Sequence, residues 1–306
     1  MSRPLVSIVT PSYNQEAFLE ETIRSVLAQD YEPIEYVVVD DGSTDGSVEI
    51  IRRYEDRLAW WTAQENAGQV AALNRGFERT TGEYMAYLNS DDTLLPGAVA
   101  RMAAVLDGEP EAWLVYGDAL YTDEHSQESG YLPSRDFDVV EMVRSSDNHV
   151  VQPAALWRRE AWERYGPFPA GGWYFFDFEF FLRFPPERVH RIAEPLATYR
   201  IHPEAKSTGA SGSRLAADHA RLAETFFRSD RLPVAARGVA REGRSSAYLL
   251  GAEFAYEALD LGRARRYALR GLALHPRHAS PRWVSLAAKS FLPRRAVASL
   301  RSRRRR

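Results

Sequence analysis

The sequence predicts an α/β protein: a three-layer α/β/α domain around a mostly parallel, Rossmann-like sheet, followed by an all-helical extension. Three observations predict it. β-branched apolar runs alternate with segments of helical period over about the first hundred residues. Polar residues gather where each apolar run ends. Beyond about residue 214 the chain turns Ala-, Leu- and Arg-rich and carries no strand signal.

Residues 5–10 (Leu-Val-Ser-Ile-Val-Thr) form the first predicted strand, broken by Pro11, Ser12, Tyr13 and Asn14. A helix follows, with Phe18, Leu19, Ile23, Val26 and Leu27 at the 3.6 period. Residues 34–39 are the second strand, and their turn begins Asp40-Asp41-Gly42-Ser43. Val48, Ile50, Ile51 and Tyr54 carry the next helix; residues 58–62 are a third strand, ending near Asn66 and Gly68. A helix over about 69–80 leads to the strand 84–88, which stops at Asn89-Ser90-Asp91-Asp92. Later elements are a helix over 98–106 and strands over 114–118 and 150–157. Residues 121–147 read as a loop region over an active-site mouth.

The chain has 306 residues, room for one large domain or for one domain plus a smaller one. An α/β domain is expected at 1–205 and a helical region with a basic tail at 206–306. Hydrophobic residues make up 45% and the net charge is −3, which fits a globular core and argues against a nucleic-acid partner. Cysteine is absent, excluding disulfides and a thiol nucleophile and fitting a reducing compartment. With no long apolar segment, a cytoplasmic protein is expected.

The chemistry starts at the end of the fourth strand. Adjacent carboxylates repel unless a cation or a set of donors lies between them. Oxygen ligands of this kind suit Mg²⁺ or Mn²⁺ together with a phosphorylated substrate. An Asx turn opening a helix at Asp92-Thr93 reads the same residues without a ligand. In parallel sheets the ligand crevice lies outside the carboxyl ends of the strands, where Pro11, Tyr13, Asp41, Asn66, Gly68 and Asp91 all fall. Neither Gly-x-x-x-x-Gly-Lys nor Gly-x-Gly-x-x-Gly follows the first strand.

Five segments together carry a resemblance: Val6-Ser-Ile-Val-Thr-Pro-Ser-Tyr-Asn14, Val38-Val-Asp-Asp-Gly-Ser-Thr-Asp45, Glu65-Asn-Ala-Gly68, Asn74-Arg-Gly76 and Gly82-Glu-Tyr followed by Leu88-Asn-Ser-Asp-Asp92. They resemble the family 2 glycosyltransferases of GT-A fold, over roughly residues 4–205. The resemblance implies that Pro11 and Tyr13 border a nucleobase, that Asp41 accepts a hydrogen bond from it, and that Asn66 and Gly68 line the nucleoside pocket. Asn89-Ser90-Asp91 stands where the family has Asp-x-Asp. Asp91 would then be the main metal ligand, with Asp92 beside it and Asn89 or Ser90 reaching ribose or phosphate. His202, in Tyr199-Arg-Ile-His202, is similar to a family histidine that completes the metal shell or touches the diphosphate.

A second stretch, Gly171-Gly-Trp-Tyr-Phe-Phe-Asp-Phe-Glu, embeds Asp177 and Glu179 in aromatics. A general base for a sugar hydroxyl needs a poised carboxylate within hydrogen-bond reach. Helix capping by one acid and neutralisation of the other by Arg183 is the alternative. The resemblance selects Asp177 as base and leaves Glu179 structural.

The expected activity is inverting transfer from a nucleoside diphosphate sugar, UDP or dTDP favoured, to a saccharide or lipid-linked acceptor hydroxyl in cell-surface polysaccharide or glycolipid synthesis. A sugar nucleotidyltransferase and a non-catalytic adaptor are the competing readings. Residues 248–275 resemble one tetratricopeptide-like helical pair, which must bury its face on neighbours. Residues 283–300 read as an amphipathic helix before four terminal arginines, a tail suited to peripheral contact with anionic membrane at its cytoplasmic face. Lys206 and the Gly/Ser-rich residues 207–213 are expected to order around a bound donor.

Overall fold

The computed structural model describes residues 3–206 and 211–297; Ser207 and most of the linker, and the terminal arginines, lie outside the described residues. The chain divides into two compact units, Met1–Phe137 with His149–Ile201, and Asp138–Asn148 with His202–Arg306.

The first unit is built on a nine-stranded sheet. β1 (Val6–Ser12), β2 (Ile34–Asp40), β3 (Trp60–Ala63) and β4 (Tyr84–Tyr87) pair in parallel in the order β3-β2-β1-β4. Beyond β4 the sheet is mixed. β8 (Ala155–Arg158) runs antiparallel to β4 and to β6 (Leu114–Thr122), while β9 (Val189–Arg200) runs parallel to β6.

Period-2 alternation sends successive residues of each strand into different cores. Val6, Ile8, Tyr36, Val38, Tyr84 and Ala86 pack with α1 (Leu19–Leu27), α2 (Ser47–Arg53) and α4 (Ala98–Gly108). Val9, Val37, Val39, Met85 and Tyr87 pack on the opposite face with α3 (Gln69–Phe77), α6 (Arg159–Tyr165) and α7 (Phe176–Phe181). Both faces of the central strands are thereby buried, which is why they read as continuous apolar runs.

Three expectations need correction. Residues 150–157 are a strand only from Ala155, since Gln152–Ala154 form a short 3-10 helix. Thr93 and Leu94 open no helix: they form β5 (Thr93–Leu94), antiparallel to β9. Residues 121–147 are not a loop region. β6 continues to Thr122, β7 (Glu128–Leu132) returns against it, and α5 (Val139–Ser145) follows with Asp138 as N-cap, Oδ1 accepting from Glu141 N at 3.0 Å. Polar residues mask β7 because this strand pairs on one side and faces water.

The second unit is helical. α9 (Ala240–Glu257) and α10 (Leu261–Leu274) form a hairpin whose second helix is capped by Asp260, Oδ1 accepting from Arg263 N at 3.1 Å. Its small residues Ala252, Ala255, Ala264 and Ala268 meet Ala216 of α8 (Gly212–Glu224) and Leu286 and Ala287 of α11 (Pro281–Lys289). These neighbours cover the face that the pair cannot bury alone. α5 joins this unit: Arg144 pairs with Glu242 at 3.1 Å, and Ser246 Oγ donates to Arg144 O at 2.7 Å. Gly243 lets the helices approach, because a Cβ there would lie 2.3 Å from Val143 O.

Buried charge shapes the pH response of this unit. Burial depresses the His219 imidazole to about 4, only partly offset by its hydrogen bond to Leu215 O and by Asp218. The folded state therefore keeps His219 neutral where the unfolded chain, with an ordinary value near 6.5, takes up a proton. Stability from this group is complete above about pH 6.5 and is lost as pH falls towards 4. From pH 7 to pH 5 the native protein should lose about 2 kcal/mol more than His219→Gln. Urea unfolding followed by circular dichroism at the two pH values checks this; equal losses in both proteins would rule it out.

Candidate active site

The turns after the parallel strands are stitched together at one edge. Asp41 N donates to Ser12 O at 2.8 Å, Asn14 N to Ser43 Oγ at 2.9 Å, and Thr44 N to Asn14 Oδ1 at 2.8 Å. Asp40 holds its own turn, accepting from Gly42 N at 3.1 Å and Ser43 N at 2.9 Å. Pro11 is buried within β1, whereas Tyr13, just beyond it, is exposed.

Asp41 is buried and already loaded by protein donors. Oδ1 accepts from Gln64 Nε2 at 2.7 Å and Ala67 N at 3.0 Å, and Oδ2 from Gly68 N at 2.7 Å. It therefore fixes the 64–68 segment to the end of β2, a duty the sequence did not disclose. Asn66 stays exposed in that segment. Gly68 has φ +91° and a Cβ there would face open space, so the backbone is bare where a ligand can approach it closely.

Past β4, Asn89 is held on three sides. Its Oδ1 accepts from Gln69 Nε2 at 2.6 Å, and its Nδ2 donates to Gln152 Oε1 at 3.2 Å and to Asp92 Oδ2 at 3.4 Å. Gln152 in turn donates to Tyr87 O at 2.7 Å. The amide at this position is thus engaged by the scaffold. Ser90 is buried beside it.

The two acids that follow have different settings. Asp92, expected beside the metal, is buried and accepts from Arg200 N at 3.0 Å through Oδ1. Burial and then the neighbouring Asp91 charge push its carboxyl well above the ordinary range. That is the setting of a turn lock. Asp91 remains partly exposed. Among the described residues, no group of three His, Asp or Glu side chains gathers as a cation shell. A lone carboxylate still fits Mg²⁺ or Mn²⁺ of the kind that completes its coordination with water and substrate phosphates.

Arg200 binds this loop from beneath. Its buried guanidinium donates through Nε to Asp91 O at 2.8 Å, through Nη1 to Asp123 O at 3.0 Å and Ser126 Oγ at 2.9 Å, and through Nη2 to Glu21 Oε2 at 2.6 Å. Phe18 lies under it, 4.8 Å from Cζ to ring centre. His202 falls in the second unit, where it is buried and its carbonyl accepts from Ala205 N at 3.1 Å.

Asp177 reaches the same edge through aromatic packing. Phe176 is wedged between Tyr87 at 5.9 Å and Phe168 at 4.9 Å, which turns the next residue of α7 towards β4. Asp177 Oδ1 accepts from Phe178 N at 2.7 Å, and its carboxylate hydrogen-bonds the Tyr87 phenol. Burial, then the charges of Asp177 and Asp92, raise the Tyr87 hydroxyl well above its ordinary value. It therefore stays protonated and donates. Glu179, two residues on, is fully buried. The sequence does not single out Tyr87, Gln152 or Arg200: the first two lie in apolar runs, and the third stands between Tyr199 and Ile201.

A family model described as Glycosyl transferase family 2 matches residues 7–166. TuaG of Bacillus subtilis (strain 168), a glycosyltransferase provisionally assigned to teichuronic acid biosynthesis, is 44% identical over 93 residues, 29% of this chain and 37% of the relative. The O-antigen biosynthesis protein RfbC of Myxococcus xanthus is 31% identical over 277 residues, 88% of this chain and 20% of the relative. The chain thus spans well under half the length of these curated relatives. Among solved structures, Staphylococcus aureus TarS 1–349 in complex with UDP-GlcNAc superposes with a TM-score of 0.63 at 16% identity, covering 97% of this chain and 91% of TarS. The Pyrobaculum calidifontis mannosyltransferase PcManGT, in complex with GDP-Man and Mn²⁺, gives 0.61 at 20% identity, covering 99% of this chain and 85% of that one. At these identities the likeness establishes the GT-A-like fold alone.

Proposed function

Because this chain belongs to family 2 of the glycosyl transferases, whose model spans more than half of it, we propose that it transfers a sugar from a nucleoside diphosphate sugar to an acceptor hydroxyl, inverting the anomeric carbon. The observation that carries the reading is the packing of Phe176, next to Asp177 on α7, against Tyr87 at the end of β4, ring centres 5.9 Å apart. It draws a carboxylate from a distant helix to the strand end that bears Asp91. Asp177 would take the acceptor proton as the oxygen attacks. Asp91 would hold Mn²⁺ or Mg²⁺ against the donor's diphosphate. When bound, such a cation neutralises charge on the departing diphosphate. Tyr13, Pro11, Asn66 and Gly68 would border the nucleoside, and Asp41, with one bond on Oδ2, keeps an acceptor position for the base. Ser90 would face ribose or phosphate.

UDP and dTDP sugars are the favoured donors, and the names of TuaG, RfbC and TarS's ligand support a place in cell-surface polysaccharide or glycolipid synthesis. The acceptor is proposed to be a saccharide or lipid-linked saccharide. Among the described residues no helix is long and apolar enough to cross a membrane. A cytoplasmic protein with a catalytic domain at 1–205, whose basic C-terminal region meets anionic membrane, fits this reading.

Thermal unfolding with UDP, GDP, dTDP and CDP, each with and without Mn²⁺, tests it. At about a hundredfold excess over Kd, a ligand adds roughly 2.7 kcal/mol and should raise the midpoint by several degrees. One nucleotide should stand out, its shift should need Mn²⁺, and Asp91→Ala should abolish it. No shift with any nucleotide would favour the adaptor.

A further inference from the structure

We propose that the outer side of α11, with the turn that follows it, docks on an anionic lipid bilayer; this rests on and sharpens the membrane contact just proposed. On α11, Leu286 and Ala287 face the helical core, while Val284 and Ala288, four residues apart, point away from it. Val284 is 49% exposed, and Phe291 and Leu292 in the following turn are 61% and 40% exposed. Phe291 N donates to Ala288 O at 3.1 Å, so the turn continues the helix and extends the same apolar side. The neighbouring helix adds Leu269, 50% exposed, and Arg265, whose guanidinium lies 4.7 Å from the Phe291 ring centre.

The sequence that carries this apolar side is strongly basic. Of the 39 basic residues 14 follow Asp260, and of the 42 acidic residues none does, so residues 261–306 carry +14 against −17 for the rest. Arg263, Arg270 and Arg282 are paired with Asp260, Glu224 and Glu253. Arg266, Arg294 and Arg295 are exposed.

The combination selects one occupant. A soluble polyanion would satisfy the cations and leave four large apolar side chains in water. A second copy of the chain would bring two strongly cationic faces together. An anionic bilayer takes both features, the headgroups meeting the arginines and the acyl boundary burying Val284, Phe291 and Leu292.

Sedimentation of the full-length protein with vesicles of phosphatidylcholine, with and without phosphatidylglycerol, tests the assignment. Wild type should pellet with the phosphatidylglycerol vesicles, less so at high salt. Val284→Ser/Phe291→Ser/Leu292→Ser should lower the bound fraction's partition coefficient roughly tenfold, as should Arg294→Ser/Arg295→Ser. All five positions are exposed, and an unchanged unfolding midpoint checks the fold. Wild type remaining in the supernatant overturns the proposal. So does a triple apolar variant that pellets like wild type, since charge alone would then account for binding. The nucleotide-induced shift, measured on the same proteins, separates the outcomes: lost sedimentation with a retained shift supports a lipid surface distinct from donor binding. A missing shift in wild type with intact sedimentation sinks the transferase reading and leaves the surface standing.

Discussion

Asp177→Asn is expected to lower sugar transfer about 10²–10⁴-fold, the usual weight of a positioned general base. The substitution is nearly isosteric. An Asn side-chain oxygen can still accept from Phe178 N, as Asp177 Oδ1 does at 2.7 Å, and can still meet the Tyr87 phenol. Phe176 and the surrounding rings, which set the position of α7, are untouched. What disappears is the capacity to take a proton. Donor binding should therefore survive, with the nucleotide-induced shift of the midpoint unchanged while turnover collapses. Turnover equal to wild type would remove Asp177 from the chemistry and return it to the status of a helix-end residue. Tyr87→Phe separates position from protonation, because it keeps the ring in the aromatic cluster and deletes only the hydrogen bond. A smaller loss than in Asp177→Asn is expected there.

Arg200→Met is expected to cost about 2–5 kcal/mol of stability, from two buried carbonyls left without donors at about 1–3 kcal/mol each. The guanidinium side chain is 1% exposed and bonds two carbonyls, a hydroxyl and a carboxylate from three separate segments. Removing it leaves Asp91 O and Asp123 O without their donors in a buried place. Lys does not replace it, since an ammonium lacks the planar fork that spans these acceptors. Glu21, the acid at the other end, is 47% exposed, so Glu21→Gln should cost under about 1 kcal/mol. Because Nε holds the backbone of Asp91 itself, Arg200→Met should also weaken the Mn²⁺-dependent part of nucleotide stabilisation more than the part seen without Mn²⁺. Unfolding midpoints of Arg200→Met and Glu21→Gln, with and without nucleotide and cation, decide this. An Arg200→Met protein as stable as wild type would mean that the buried network is incidental.

The sequence by itself determined the alternation of strands and helices to Tyr87, the mostly parallel character of the sheet, and the family. Each rests on local signals: period-2 and 3.6 patterns, turn residues at strand ends, and motifs of a few consecutive residues. It also named Asp177 and Asp91 as the acids to watch. Only the tertiary structure decided how the acids are used. Asp41 clamps the 64–68 segment, Asn89 is held by Gln69 and Gln152, and Asp92 is locked by the Arg200 backbone. These partners stand 20 to more than 100 residues apart in the chain. The same holds for β5, whose two residues are a strand only because β9 returns beside them. A carboxylate's role depends on which donors fold around it, and that is set by packing between segments, which no local period encodes.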